Sequence, residues 1–180
     1  MENTNTLSTG ARNKTGAIYG LILGLIYIIL CSITNMTMAA DVTLFGIMSV
    51  VNSLLYFIIV GFMAKMIRKA NGGYIEFKEL FGTVFVMLLV AGVMSYIFNY
   101  VYMNYIDPHF TEKIIEGTRL KVEQMNLPDD KVDEMLANID KESAGAKSFS
   151  LLSLAGLIVR DCVFGLIVSA IMKKSKPVFE

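Results

Sequence analysis

Residues 16–38 read GAIYGLILGLIYIILCSITNMTM, an apolar run that contains no charged side chain. A helix needs about 20 apolar residues to cross a hydrocarbon core roughly 30 Å thick, so this run decides the fold class. Three further runs of similar length follow at 42–67, 82–105 and 150–172. The sequence therefore predicts an all-α polytopic membrane protein with four transmembrane helices.

The composition agrees with this class. Hydrophobic residues make up 54% of the 180 residues and charged residues 18%, below the roughly 25% of a soluble domain. Sixteen basic residues balance sixteen acidic ones, which argues against a nucleic-acid partner. The sequence contains two cysteines, Cys31 and Cys162, and one histidine, His109. Because these residues are so few, we expect no disulfide framework, no metal site and no cofactor.

The first run has some features of a secretory signal peptide. Arg12 and Lys14 precede it, and Met38-Ala39-Ala40 resembles a cleavage site. The run is nevertheless longer than the usual 7–15 residues, and the second run begins at Val42. We expect it to remain in the protein as a transmembrane helix.

The basic residues predict the orientation of the helices. Lys and Arg concentrate in short cytoplasmic loops, and here they flank the same side of every run. Both termini (1–15 and 173–180) and the loop 68–81 are therefore expected on the cytoplasmic side of the membrane, and residues 106–149 on the opposite side. The basic residues are Arg12, Lys14, Lys65, Arg68, Lys69, Lys78, Lys173, Lys174 and Lys176.

The segment 106–149 is predicted to form an extracytoplasmic helical hairpin between the third and fourth transmembrane helices. Asp107-Pro108 is typical of a helix start, and predicts a helix from Pro108 to about Met125. Acidic residues after Leu127-Pro128 predict a second helix, ending near residues 143–146. Its apolar face would serve either internal packing or the docking of a partner. That face comprises Val132, Met135, Leu136 and Ile139.

The cytoplasmic loop, RKANGGYIEFKELF, combines a turn with an amphipathic pattern. Asn71-Gly72-Gly73 is turn chemistry. Apolar residues at 74, 77, 80 and 81 then predict a short helix lying at the membrane interface before the third span. A basic cluster beside this loop either fixes topology alone or also attracts anionic lipid. It comprises Lys65, Arg68 and Lys69.

Small residues predict how the spans associate, because lipid tails leave no hydrophobic driving force between helices. The first span carries Gly16, Gly20 and Gly24, a doubled GxxxG pattern that we interpret as a helix-packing seam. The seam could serve packing within the chain or dimerisation. The fourth span carries Ser153, Leu157, Asp161, Gly165 and Ser169 at steps of four.

Arg160-Asp161 is the most unusual feature, since both residues lie within roughly 5 Å of the middle of the fourth span. Adjacent residues point about 100° apart on a helix, so the two are not expected simply to face each other. Asn52 and Ser53 in the second span are candidate partners for Asp161. This polar site either binds an ion, a proton or a small solute, or fixes helix packing, within the chain or against another subunit.

The sequence resembles a family of small four-span bacterial membrane proteins, typical of Bacteroidetes, catalogued as domain of unknown function 4199. The resemblance covers about residues 12–176 and implies a cytoplasmic-membrane protein without assigned catalytic residues. It rests on the glycines of the first span, residues 72–81, Tyr105-Ile106-Asp107-Pro108, the acidic insert and Lys173-Lys174.

No motif for phosphate binding, hydrolysis or zinc is present in the sequence, so we do not expect an enzyme. The first hypothesis is a scaffold or accessory subunit whose partners are the lipid bilayer and another membrane protein or itself. It would act through the external hairpin or the glycine seam. The alternative is a small channel or transporter with Arg160, Asp161 and Asn52 at its polar centre.

Overall fold

The computed structural model describes residues 9–38, 41–124, 129–147 and 151–175, and these contain helices and turns but no strand. Four helices are long and apolar enough to cross a membrane, which confirms the four predicted spans. The third of them combines α3 with a short π-helical turn. The elements are α1 (Thr9–Thr37), α2 (Val42–Ala70), α3 (Phe77–Val101), the π-turn (Tyr102–Ile106), α4 (Phe110–Gln124), α5 (Asp129–Lys147) and α6 (Leu151–Met172).

The prediction of a separate interfacial helix before the third span is wrong. Gly72 and Gly73 form the expected turn, with φ values of 78° and 86° that glycine adopts without strain. The helix then begins at Phe77 and continues without a break as α3. Ile75 and Leu80 are buried in the core, whereas Tyr74, Phe77 and Phe81 are half-buried.

The chain divides into two compact units. The first comprises described residues within 1–27, 54–94 and 155–180. One apolar core fills it, and α3 contributes the largest share of that core. The buried core residues are Leu23, Val60, Met63, Ala64, Ile67, Ile75, Leu80, Val84, Met87, Leu88, Ala91 and Val168.

The glycine seam of α1 lies directly on α3. A Cβ atom at Gly16 would lie 2.6 Å from the carbonyl oxygen of Thr83, and one at Gly20 would lie 2.6 Å from that of Met87. At Gly24 the nearest atom would be Met94 Sδ, at 2.7 Å. The seam therefore serves packing within the chain, and α3 already occupies the surface that a second copy would need.

Polar contacts connect the helix ends at one end of this unit. Arg12 at the start of α1 forms an ion pair with Glu79 of α3, with 2.6 Å between Nη1 and Oε1. Arg68 Nη1 donates to the carbonyl oxygen of Met172 at 2.9 Å and so satisfies an orphan acceptor at the C-terminus of α6. Ile75 and Lys174 exchange two backbone hydrogen bonds of 2.9 and 3.1 Å. These contacts join all four spans.

The second unit comprises described residues within 28–53 and 95–154. Asp41 caps α2, because its Oδ1 accepts the backbone N–H groups of Leu44, at 3.1 Å, and Thr43. These hydrogen bonds lower the pKa of Asp41 below its ordinary value. Phe110 is buried at the start of α4, where its ring meets Phe45 and Tyr102 edge-on at 5.7 and 5.3 Å.

Both helices of the predicted hairpin are present, but their ends differ from the prediction. The first begins at Phe110, not Pro108, because Asp107 ends the π-turn and its carboxylate pairs with Lys113 at 2.7 Å. The second continues through Lys147, beyond the predicted end at 143–146. The predicted boundary residues Met125, Leu127 and Pro128 lie outside the described residues.

The apolar face of α5 is mainly used for packing. Leu136 is buried, Val132 and Ile139 are half-buried, and Met135 is exposed. The helix contacts α4 and the π-turn. This face therefore resembles a packing surface more closely than a free docking surface.

The seam generates a stability prediction. Gly20→Ala should lower the free energy of unfolding by about 1–3 kcal/mol, because its new methyl group overlaps the backbone of α3. Gly46→Ala is the matched control in α2, since its Cβ would meet no atom within 4 Å. Alanine has the higher helix propensity, so the control should be neutral or stabilising. Unfolding of both variants in detergent measures the difference, and equal stability would contradict the seam.

Candidate functional site

Asp161 lies on the inward face of α6, as the four-residue spacing predicts. Asp161, Gly165 and Ser169 are all buried, and Asp161 retains 3% of its side-chain exposure. The carboxylate is therefore inside the first unit, where charge needs local hydrogen bonds. Sequence spacing alone identifies this face correctly.

Gly92 of α3 forms the wall that the carboxylate touches. A Cβ atom at this position would lie 2.6 Å from Asp161 Oδ2 and 2.8 Å from Leu157 Cδ2. Both distances are below van der Waals contact, so a side chain at position 92 would require the ends of the Asp161 and Leu157 side chains to move. Gly92 lies in the third apolar run of the sequence, and nothing in that run pairs it with Asp161.

Arg160 points to the outside of α6 but folds back towards its neighbour. Its side chain is 61% exposed, whereas that of Asp161 is buried. Even so, Nε and Nη2 donate to Asp161 Oδ1 at 3.0 and 2.9 Å. The expectation that the two residues do not simply face each other is therefore wrong for their charged groups. The long arginine stem brings the charges together.

One oxygen of the carboxylate remains unsatisfied. Asp161 Oδ2 is buried and has no hydrogen-bond partner among the described residues, and the same is true of Ser169 Oγ. Most buried polar atoms in native proteins have a partner, so each exception requires an explanation. An unsatisfied carboxylate oxygen is an atom that can hold a proton or accept a donor from a ligand or water.

Aromatic rings from other helices lie near this pair. Phe164 follows Asp161 by three residues on α6. The Tyr56 ring lies 5.4 Å from that of Tyr27 and 6.4 Å from that of Phe164. The site thus receives residues from all four spans. Sequence reasoning does not select Tyr56, because an aromatic residue in an apolar run looks like any other core residue.

The predicted partners Asn52 and Ser53 belong to the other compact unit. Ser53 is exposed, and its hydroxyl donates to the Ser49 carbonyl oxygen at 2.9 Å in its own helix. Asn52 Oδ1 is buried and has no partner within the described part of the chain. Their interaction with Asp161 stays a prediction.

Among the described residues, the other ionisable groups do not form a second centre. His109 is exposed and pairs with Glu112 at 2.8 Å on α4. Within the described ranges, no three His, Cys, Asp or Glu side chains come close enough to hold a metal ion. The arrangement that remains is a buried carboxylate with an exposed arginine, suited to holding a charge or a proton.

The fold and this site define an all-helical protein whose four long apolar helices are consistent with a membrane protein. The chain belongs to the family described as "Protein of unknown function (DUF4199)", whose model matches residues 14–174. This match confirms the resemblance drawn from the sequence. Searches of curated proteins and of solved structures gave no match to the chain.

The contact between Gly92 and Asp161 generates a second prediction. Gly92→Ala should destabilise the protein by about 1–3 kcal/mol, because the carboxylate must move away from the new methyl group. Gly82→Ala is the control on the same helix, since its Cβ would meet no atom within 4 Å. In an Asp161→Ala background the Gly92→Ala penalty should shrink, because one of the two clashing atoms is gone. An equal penalty in both backgrounds, measured by detergent unfolding, would show that Asp161 does not rest on Gly92.

Proposed function

We propose that the protein is a non-enzymatic accessory or scaffold subunit of a bacterial inner membrane. In this proposal the four spans form one bundle, both termini lie in the cytoplasm, and α4 and α5 lie on the outer side. The four apolar helices and the basic residues that flank them support this arrangement. The family match is consistent with it and assigns no activity.

Arg160 is the observation that carries the proposal. It lies within ~3 Å of the midpoint of α6 along the helix axis. Its guanidinium is exposed, and so are the neighbouring apolar residues Val159 and Val163. Asp161 accepts from Nε and Nη2, whereas the bilayer core offers no acceptor for the other N–H groups.

A membrane helix of another protein would remove this cost. It would cover Arg160 and the exposed residues beside it, and it would bring a carboxylate, hydroxyl or carbonyl acceptor to the middle of the membrane. The other two surfaces considered from the sequence are less suitable. The glycine seam is filled by α3, and Leu136 on the hairpin face is already buried. The proposal therefore assigns partner binding to the outer face of α6.

The unsatisfied Asp161 Oδ2 favours a second candidate function, a small channel or transporter. A buried carboxylate that exchanges a proton or a cation would be left with a free oxygen in its resting state. In this alternative Arg160 lowers the cost of the charge, and Asp161 is the exchanging group. The first proposal is preferred because the exposed N–H groups of Arg160 need an acceptor whether or not Asp161 exchanges a proton or a cation.

Site-specific cross-linking tests the proposed surface. A photoreactive residue at Val163 should cross-link the tagged full-length chain to one reproducible partner in native membranes. A probe at Leu25, which is exposed near the middle of α1, is the matched control and should capture lipid or varied proteins. Arg160→Gln should abolish or strongly reduce the Val163 product. Equal capture from both positions, or none from Val163, would overturn the proposal.

The channel or transporter alternative is tested at Asp161. Asp161→Asn should abolish proton or cation flux into liposomes that contain the purified wild-type chain, if the chain is a transporter. An absence of flux from the wild-type chain would contradict the alternative. Flux lost in Asp161→Asn, together with no product from Val163, would replace the first proposal by the second.

The proposed topology generates a further prediction. Cysteines introduced by Lys131→Cys in α5 and Lys69→Cys in α2 replace two exposed lysines. A membrane-impermeant maleimide should label the first in intact spheroplasts and the second only after lysis. The parent chain, with Cys31 and Cys162 in its spans, measures background. Labelling of Lys69→Cys before lysis would reverse the orientation.

A further inference from the structure

A groove of about 390 Å³ opens between α2 and α6 within the first unit. Phe57, Gly61 and Phe62 line its α2 side, and Ile171 and Met172 line its α6 side. Phe62 and Ile171 are largely exposed, so the groove faces outward along the spans. Its volume lies at the lower end of the 300–1,000 Å³ typical of small-ligand sites.

Lys65 is the one charged residue of this lining. It lies nine residues from the midpoint of α2, which corresponds to ~13 Å along the helix axis. The hydrocarbon core extends roughly 15 Å from its centre, so Lys65 lies at the boundary with the headgroups. Phe57 lies near the middle of the same helix. The groove thus runs from mid-membrane to the interface and ends at a cation.

The surroundings of Lys65 are strongly basic. Two acidic residues, Glu76 and Glu79, lie near the connected helix ends, and Glu79 is already paired with Arg12. Arg68 is engaged by the Met172 carbonyl oxygen. Lys65 itself has no hydrogen bond or ion pair with any described residue. The described basic residues at this end are Arg12, Lys14, Lys65, Arg68, Lys69, Lys78, Lys173 and Lys174.

We propose that this groove binds one anionic phospholipid, with an acyl chain between α2 and α6 and its phosphate at Lys65. The apolar lining suits a single acyl chain, and the cation at the interface end complements a negatively charged headgroup. A partner helix is a poor occupant, because its diameter of about 10–12 Å needs a wider surface. The proposal is independent of the Arg160 surface and of the proposed partner.

Gly61 makes the groove possible. A Cβ atom at this position would meet one atom within 4 Å, Met172 Cε at 3.5 Å, which is ordinary contact. The glycine is therefore not needed for close packing of α2 on α6, in contrast to the seam glycines of α1. Its absent side chain leaves open the space that an acyl chain would occupy.

Native mass spectrometry of the detergent-solubilised full chain tests the proposal. Titration with phosphatidylglycerol should give one tight adduct, which phosphatidylcholine of the same chains forms several-fold more weakly. Lys65→Gln should weaken the phosphatidylglycerol adduct about fivefold, the effect of one lysine near a lipid phosphate. Lys69→Gln is the control, because Lys69 lies at the same end of α2 but does not line the groove.

A second variant separates a specific site from general attraction to basic residues. Gly61→Leu fills the groove without changing charge, so it should abolish the tight adduct while the chain still unfolds at the wild-type temperature. If Gly61→Leu fails to fold, the comparison between Lys65→Gln and Lys69→Gln still decides the question. The proposal is overturned if the two lipids bind equally, or if both lysine variants weaken binding equally.

Discussion

The packing of the first unit depends on the close approach of α1 and α6 to the backbone of α3. Gly16 and Gly20 let α1 lie against carbonyl groups of α3, and Gly24 makes room for the Met94 side chain. Gly92 of α3 lets α6 bring a carboxylate against α3. Between apolar helices in lipid, burial of hydrocarbon supplies little net driving force, so close packing has to supply it. Glycine permits the shortest distance between helix axes, and it therefore stands at the contacts of α3 with two neighbours.

Placing a carboxylate in such a contact links helix packing to charge. Asp161 lies against Gly92 of α3, and Arg160 supplies the hydrogen bonds to its carboxylate. A lone buried charge is far more costly than a charge with its partner. The arginine reaches the carboxylate from the outer face of the helix, so the same residue that stabilises the core also displays charge to the surroundings.

Periodicity in the sequence predicts which face of a helix is buried, but it does not predict which neighbour covers that face. The four spans, the α1 seam and the inward position of Asp161 all follow from residue spacing. The pairing of Gly92 with Asp161, the hydrogen bond from Arg68 to Met172 and the bridge between Ile75 and Lys174 do not, since each joins distant segments. The sequence pattern places the start of the third helix at residue 82, whereas α3 begins at Phe77. An amphipathic pattern looks the same on a membrane surface and at the edge of a core.

Two surfaces of α6 have different surroundings, so the proposed binding of a partner and the proposed binding of a lipid are independent of each other. Its inward face is fixed by Gly92, and the Arg160 surface lies at its middle, whereas the lipid groove lies near its C-terminal end beside α2. Filling the groove changes volume near the end of α6 and leaves the charge at the middle of α6 untouched. Neutralising Arg160 removes that charge and leaves the groove open. Since the two surfaces differ in both depth and chemistry, loss of lipid binding and loss of partner binding can each occur without the other.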